Sequence, residues 1–247
     1  MGCHCTTRGA SRARQLIPLT ATELPWTWGS KICDELLRKG LRRVEPLFSG
    51  DVLDLGCGAM PYRSVLGARA QRWIGLDRPI AAAGRPAADV FGAATALPFK
   101  KECFDVVLCT QVLEHIPTPL ALFEQAHEVL RPGGFLVLTT PQTNPLHEEP
   151  NDYFRFTIYG LKFLAVQTRF HVIQAHPLGG AIATLGQMLV WHLGWMERFP
   201  VLGRPMAAAA RASASWLALQ LDPLSHRYGG GAEKDTINWL LVAQKLV

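Results

Sequence analysis

Charge is scarce in this chain. Only 18% of its 247 residues are Asp, Glu, Lys or Arg, and none lies between Phe170 and Met196. With 49% hydrophobic residues, that scarcity excludes a disordered, self-repelling chain and implies a folded core. No linker-like run divides the sequence, so one core is expected. The six cysteines, Cys3, Cys5, Cys33, Cys57, Cys103 and Cys109, lack the paired spacing of a zinc site. A chain this long does not depend on a disulfide framework. No apolar leader opens the sequence, which argues against secretion and for a reducing cytoplasm. Internal repeats and low-complexity runs are missing as well.

What charge there is sits unevenly. The first fifty residues carry eight basic side chains, among them Arg8, Arg12 and Arg14, against four acids. A basic arm of this kind can meet nucleic acid or anionic lipid, although a solvated face is the commoner outcome. The opening "MGCHCTTRG" also fits a myristoylation pattern at Gly2 with Thr6, next to Cys3. Pro25, Trp26 and Trp28 are expected to pin the arm to the body.

Ser30 is placed to start a helix whose Ile32, Leu36, Leu37, Leu41 and Val44 recur near 3.6-residue spacing, with Pro46 ending it. "VLDL", "RWIGLD", "FDVVLCT" and "FLVLTT" read as strands buried on both faces. Thr118 to Leu130 reads as a helix closed by a turn at "RPGG". Strands alternating with helices predict an α/β fold, a doubly wound and mostly parallel sheet with ligands at its carboxyl edge. "FHVIQ" and "NWLLVAQKLV" read as further strands, the last antiparallel at the sheet edge. Between them the spacing predicts a helix over 181–196, too short to cross a membrane comfortably. It reads as a buried or lid helix, with contact to a membrane surface as the alternative.

The segment "DVLDLGCGAMPYR", residues 51–63, carries the chemistry. Its Gly56-Cys57-Gly58 bend follows a strand, as in phosphate-binding loops. Yet Pro61 stands where a dinucleotide fingerprint has its third glycine, and no Gly-Lys-Ser/Thr follows. Asp54 would also repel a pyrophosphate. A cofactor with an ammonium and a sulfonium but no phosphate fits without conflict: the glycines admit close backbone approach and Asp54 supplies the opposite charge. Asp77, about twenty residues on at the end of the second strand, is placed to accept the hydroxyls of a ribose.

Through "VLDLGCG", "IGLD", "ATALPF", "FDVVLCTQVLEHIPTP" and "EVLRPGGFLVLTTP", the chain resembles class I S-adenosylmethionine-dependent methyltransferases, in particular the group around ubiquinone-type O-methyltransferases. The likeness is close over about 48–145 and looser through "DYFRFTIYGLKFL". It implies a Rossmann-like, seven-stranded sheet whose last strand is antiparallel, with a helical insertion before that strand. The implied division is an arm and helix over 1–47, a cofactor-binding core over 48–145, and a substrate-side lid with the final strands over 146–247. S-adenosylmethionine is the implied cofactor. Asp54, Gly56, Cys57 and Gly58 would line its methionine end, Asp77 its ribose, Leu97 and Phe99 its adenine side, and Gln111 its underside. One departure stands out: relatives read "GDATALPF" where this chain has Ala93 in "GAATALPF".

Methyl transfer needs alignment, exclusion of water and, for a hydroxyl acceptor, removal of a proton. His115 and His147 are the candidate bases, each after a strand end, and either can instead order its loop. Tyr153 and Arg155 are the candidate acceptor contacts. Glu148 and Glu149 lack a third ligand at recognisable spacing, so no metal is expected. The expected reaction methylates a small molecule, at an oxygen of a lipid, quinone or glycan-type intermediate. The alternative is a non-catalytic scaffold or partner protein on the same fold. Nucleic acid is disfavoured, because base-amino methyltransferases carry an Asn/Asp-Pro-Pro-aromatic motif where this chain reads "CTQVLEH". Oligomeric state is left open.

Overall fold

The computed structural model describes residues 30–79, 87–199, 203–227 and 234–246. The basic arm, its aromatic anchors and the myristoylation pattern lie outside the described residues.

Helix α1, Ser30–Val44, turns Ile32, Leu37, Leu41 and Val44 inward and leads into a short 3-10 turn containing Pro46. The strands are β1 (Gly50–Leu55), β2 (Ala70–Asp77), β3 (Val90–Phe91), β4 (Phe104–Thr110), β5 (Leu130–Pro141), β6 (Phe170–Leu178) and β7 (Asn238–Lys245). Helix α2 is a single turn at Arg63–Leu66, α3 covers Pro119–Val129 and α4 covers Ile158–Gln167. They form one seven-stranded sheet in the order β3-β2-β1-β4-β5-β7-β6, with β7 antiparallel to both neighbours.

Alternation along the strands divides the core into two layers. Leu53, Leu55, Val107, Leu136 and Leu138 pack with α3 and α4, while Val52, Val106, Leu108, Val137 and Leu240 pack with α1. A sheet covered on both faces needs apolar residues at consecutive positions, which is what "VLDL" and "FDVVLCT" supply. Phe104, Phe123 and Leu122 are fully buried; each such side chain stabilises the fold by about 1.5–3 kcal/mol. At the amino ends of the strands, Arg131 reaches Asp105 at 2.6 Å and Asp51 at 2.9 Å, tying β1, β4 and β5 together.

Three expectations need correction. The last strand is antiparallel but lies inside the sheet, between β5 and β6, and not at its edge. Its burial on both faces is the reason, since an edge strand leaves one side to water. The "RPGG" turn is absorbed into β5 as a bulge, where the register with β4 jumps from Phe104↔Leu130 to Val106↔Phe135. The helix expected over 181–196 ends earlier: α5 is Ala181–His192, followed by a 3-10 stretch at Leu193–Arg198. A second long helix then appears, α6, Gly203–Arg227.

The first crossover runs from β1 to β2 on one side, and β4 lies on the other side of β1. The crossovers from β1 and from β4 therefore leave in opposite directions along the sheet, and a crevice opens at the carboxyl ends of these two parallel strands. In register, Leu55 stands between Leu76 of β2 and Cys109 of β4. This brings Asp54, Asp77 and Gln111 to one edge.

Candidate functional site

The bend after β1 is held from two sides. Leu76 O accepts from Gly56 N at 2.8 Å and from Cys57 N at 3.2 Å, and Gly58 N donates to Asp77 Oδ2 at 2.8 Å. Gly56 has φ of 66° and Gly58 has φ of 50°, both left-handed. They differ in surroundings. A Cβ on Gly56 would lie 2.3 Å from Val112 of the loop after β4, whereas one on Gly58 would meet nothing within 4 Å. Gly56 therefore locks two loops together, and Gly58 faces open space where a ligand can approach the backbone. Met60, also left-handed with φ of 53°, completes the bend at a position that gave no sequence signal.

Asp54 is 2% exposed. Burial lifts its carboxyl to about 7; the Trp73 indole opposes that rise and the neighbouring Asp77 adds to it. The Trp73 nitrogen is itself buried without a hydrogen bond of good geometry, so its pull is that of a nearby dipole. Asp77 Oδ1 accepts from Arg78 N at 2.6 Å, and each of its oxygens keeps a second lone pair. The Cys57 thiol is pushed up to about 12, chiefly by burial, which removes it as a nucleophile at neutral pH.

The neighbouring loops close around this edge. Gly92 N donates to Asp77 O at 2.9 Å, so the loop after β3 packs on the end of β2. Within it Ala93 and Ala96 form a tight turn, and Leu97 N donates to Gln125 Oε1 at 2.8 Å. Gln111 takes a left-handed φ of 55°, its N–H donating to Thr139 O at 2.9 Å. Asp54, Gly56, Cys57, Gly58, Asp77, Leu97 and Gln111 thus all stand at the carboxyl edge. Two acids, an open glycine and no basic clamp among them suit a cationic, phosphate-free nucleoside.

A second cluster forms from the loops after β4 and β5. His115 and His147, far apart in sequence, meet edge to face with ring centroids 4.8 Å apart and planes at 81°. His115 Nδ1 lies 2.8 Å from Asn151 O. A carbonyl only accepts, so Nδ1 carries the proton and Nε2 is left as the acceptor. Nε2 is 3.9 Å from Glu114 Oε1 and 3.9 Å from Glu148 Oε2. Glu114 is fully buried in a 3-10 turn; its Oε2 accepts from Thr140 Oγ1 at 3.1 Å, while Oε1 has no hydrogen-bond partner. Burial raises its carboxyl to about 8. Burial also lowers His147, whose Nδ1 lies 3.0 Å from Pro145 O and 3.2 Å from Asp152 Oδ2.

Ligand-capable atoms of Glu114, His115 and His147 lie within 4.8 Å of one another, a grouping with the chemistry to hold a cation that the sequence did not reveal. The candidate acceptor contacts fare unequally. Tyr153 is 45% exposed, its hydroxyl 3.2 Å from Asn151 Oδ1. Arg155 has an acceptor for all of its N–H directions: Asn144 O, Asp152 Oδ1 and Oδ2, Phe154 O and Pro145 O. It shapes the loop that carries His147, and this arrangement leaves it no donor for an anionic acceptor. Asp152 and Asn151, which position the histidines, escaped the sequence reading; the Asp152–Arg155 spacing was the available signal. A polar cavity of about 440 Å³, lined by Lys101, Glu128, Arg169 and Lys245 among others, lies at the opposite end of β4 and is unrelated to these groups.

A family described as a methyltransferase domain matches residues 29–186. Ubiquinone biosynthesis O-methyltransferase of Pseudomonas aeruginosa strain UCBPP-PA14 is 33% identical over 106 residues, covering 38% of this chain and 45% of the relative. Its counterpart in Aliivibrio fischeri strain ES114 is 30% identical over 115 residues, covering 42% and 49%. The match spans about half the length of these curated relatives. Among solved structures, an S-adenosylmethionine-dependent methyltransferase from Mesorhizobium loti superposes with a TM-score of 0.53 at 18% identity, covering 86% of this chain and 99% of that one. Phosphoethanolamine N-methyltransferase 2 of Haemonchus contortus, in complex with S-adenosyl-L-methionine, gives 0.52 at 20% identity, covering 87% and 53%. The cyclase SpnF gives 0.53 at 19% identity, covering 85% and 80%, so the fold alone does not select a reaction. The chain belongs to the methyltransferase-domain family.

Proposed function

We propose that this protein is a class I methyltransferase whose methyl donor is S-adenosylmethionine, and that it methylates an oxygen of a small molecule of lipid, quinone or glycan-intermediate type. The observation that carries the proposal is His115, with Nε2 unprotonated and two carboxyl groups at 3.9 Å, at the carboxyl edge shared by β4 and β5. The names of the curated relatives support the oxygen.

Asp54 would face the ammonium of the methyl donor, the second lone pairs of Asp77 would take its ribose hydroxyls, and the open backbone at Gly58 would let it lie close. Cys57 contributes backbone only. Leu97 would flank the adenine and Gln111 would support the donor from below. Once bound, S-adenosylmethionine supplies an already activated methyl carbon. What remains for the protein is to align the acceptor and take its proton. His115 Nε2 accepts the hydroxyl proton as the oxygen takes the methyl, and the resulting imidazolium is stabilised by Glu148 beside it. His147 and Tyr153 wall the acceptor space. The division of 146–247 into a substrate-side lid, a helical insertion and the final strands of the same domain is supported by His147 and Tyr153, which come from the start of that segment.

The test is transfer of labelled methyl from S-adenosylmethionine to a polyprenyl catechol by purified protein. Label in the ether product, lost in Asp77→Ala, is the expected result. Binding of S-adenosylhomocysteine with no transfer to any hydroxylated apolar acceptor favours the second reading, a non-catalytic partner protein. Ala93 supports that reading, standing where a side-chain acceptor for the adenine amino group is expected.

A further inference from the structure

Helix α6 is inside out. Its buried stripe is Ala207, Arg211, Ser215, Ala218 and Asp222, while Met206, Trp216, Leu217, Leu221 and Leu224 face solvent. At 3.6 residues per turn these five fall within an arc of about 140° opposite the buried stripe. Trp216 is 61% exposed and Leu217 50%. Helix α5, packed against α6 through Gly186 and Ala218, likewise turns Leu185, Met188 and Leu189 outward. An apolar face of this kind on a stable helix marks contact with something apolar.

The charges say with what. From 170 to 227 the sequence holds two acids, Glu197 and Asp222. Glu197 pairs with Arg211, and Asp222 accepts the N–H groups of Gly180 and Ala183 at the start of α5. Both are spent inside the hairpin. Among the described residues of this stretch, Arg198 and Arg204 are exposed and cationic, and no exposed acid accompanies them. Two copies of such a face would repel each other, whereas an anionic headgroup layer complements it while its acyl region takes the leucines. No helix among the described residues is long and apolar enough to cross a membrane, so the contact is with the surface.

We propose that the α5–α6 hairpin seats this enzyme on an anionic lipid surface, with the outer stripe of α6 dipping into the interface. The proposal is independent of the methyl acceptor, and its test reads binding alone.

The full chain is floated with phosphatidylcholine vesicles, with and without phosphatidylglycerol. Binding to the anionic vesicles is expected, weakened by salt and accompanied by a blue shift in emission that Trp216→Phe abolishes. Leu217→Glu with Leu221→Glu should reduce binding about tenfold or more, since each leucine leaves the interface and brings a charge. Arg198→Glu with Arg204→Glu should reduce binding to anionic vesicles while leaving circular dichroism and S-adenosylhomocysteine affinity as they were. The proposal is overturned if the wild type ignores anionic vesicles or if both double variants bind as well as it does. It is equally overturned if sedimentation reveals a dimer that the leucine variant dissolves while vesicle binding persists.

Discussion

The N–H of Gly58 donates to Asp77 Oδ2 at 2.8 Å, fastening the end of β2 to the bend after β1. One carboxylate thereby shapes the cradle and offers its remaining lone pairs to a ligand. Asp77→Ala removes both functions. Hydrogen bonds to a charged group contribute about 1.5–3 kcal/mol each, so S-adenosylhomocysteine affinity should fall on the order of a hundredfold. Asp77→Asn retains an acceptor for Gly58 and should lose less. Calorimetry showing equal affinity in wild type and Asp77→Ala would discard the assignment.

Gly56 and Gly58 should respond differently to alanine. Both pay the left-handed backbone cost of about 1 kcal/mol. Gly56→Ala also drives a methyl into Val112 and should lower the melting temperature sharply. Gly58→Ala meets no protein atom, so stability should drop little while cofactor affinity drops markedly. Thermal melts set beside titrations separate the two.

Burial raises Asp54 to about 7 and Glu114 to about 8, from ordinary values of 3.8 and 4.5. The folded state therefore binds protons that the unfolded chain has released. This contribution to stability is complete below about pH 4 and is lost as pH rises through 7 and 8, a change on the order of 1–3 kcal/mol. Without ligand, this contribution to the melting temperature should fall between about pH 4 and pH 8 and level off above that. Asp54→Asn and Glu114→Gln should each flatten that slope. Cofactor affinity should run the other way, rising through about pH 7 as Asp54 ionises to meet an ammonium. A flat affinity profile would remove Asp54 from the contact.

Replacing His115 with Ala should cut methyl transfer by about 10²–10⁴-fold while cofactor binding stays intact, because the ring lies in the second cluster. His147→Ala should mainly raise KM, as expected of a wall. Equal losses in cofactor affinity would instead make both histidines props for the loop.

Restoring a carboxylate at Ala93 offers a gain of function. Ala93→Asp adds one acceptor on an exposed turn and should tighten S-adenosylhomocysteine several-fold, about 1 kcal/mol. Unchanged affinity would mean that the ring edge is read by backbone, or lies elsewhere.

The strands around the bend were legible because a sheet buried on both faces writes continuous apolar runs. "VLDL" and "FDVVLCT" cannot be mistaken for amphipathic helix. The two residues of β3 carry no such pattern. Helix α6 was hidden for a different reason: its inward stripe contains Arg211, Ser215 and Asp222, so its apolar period points outward. The position of β7 is a matter of topology that local sequence does not encode, although "NWLLVA" is apolar on both faces, as an interior strand must be. The two histidines could be proposed singly from their loops. Their meeting depends on the path of β5 and the loop braced by Arg155, which no spacing rule anticipates.

Because β7 lies between β5 and β6 in the sheet, synthesis on the ribosome leaves a gap until residues 238–245 emerge. A nascent chain ending at α6 would hold the β1–β4 carboxyl edge nearly finished, yet β5 would present an unpaired flank and β6 would lack its strand partner. That interval exposes sticky strand margins to other polypeptides, and chaperone engagement should concentrate there.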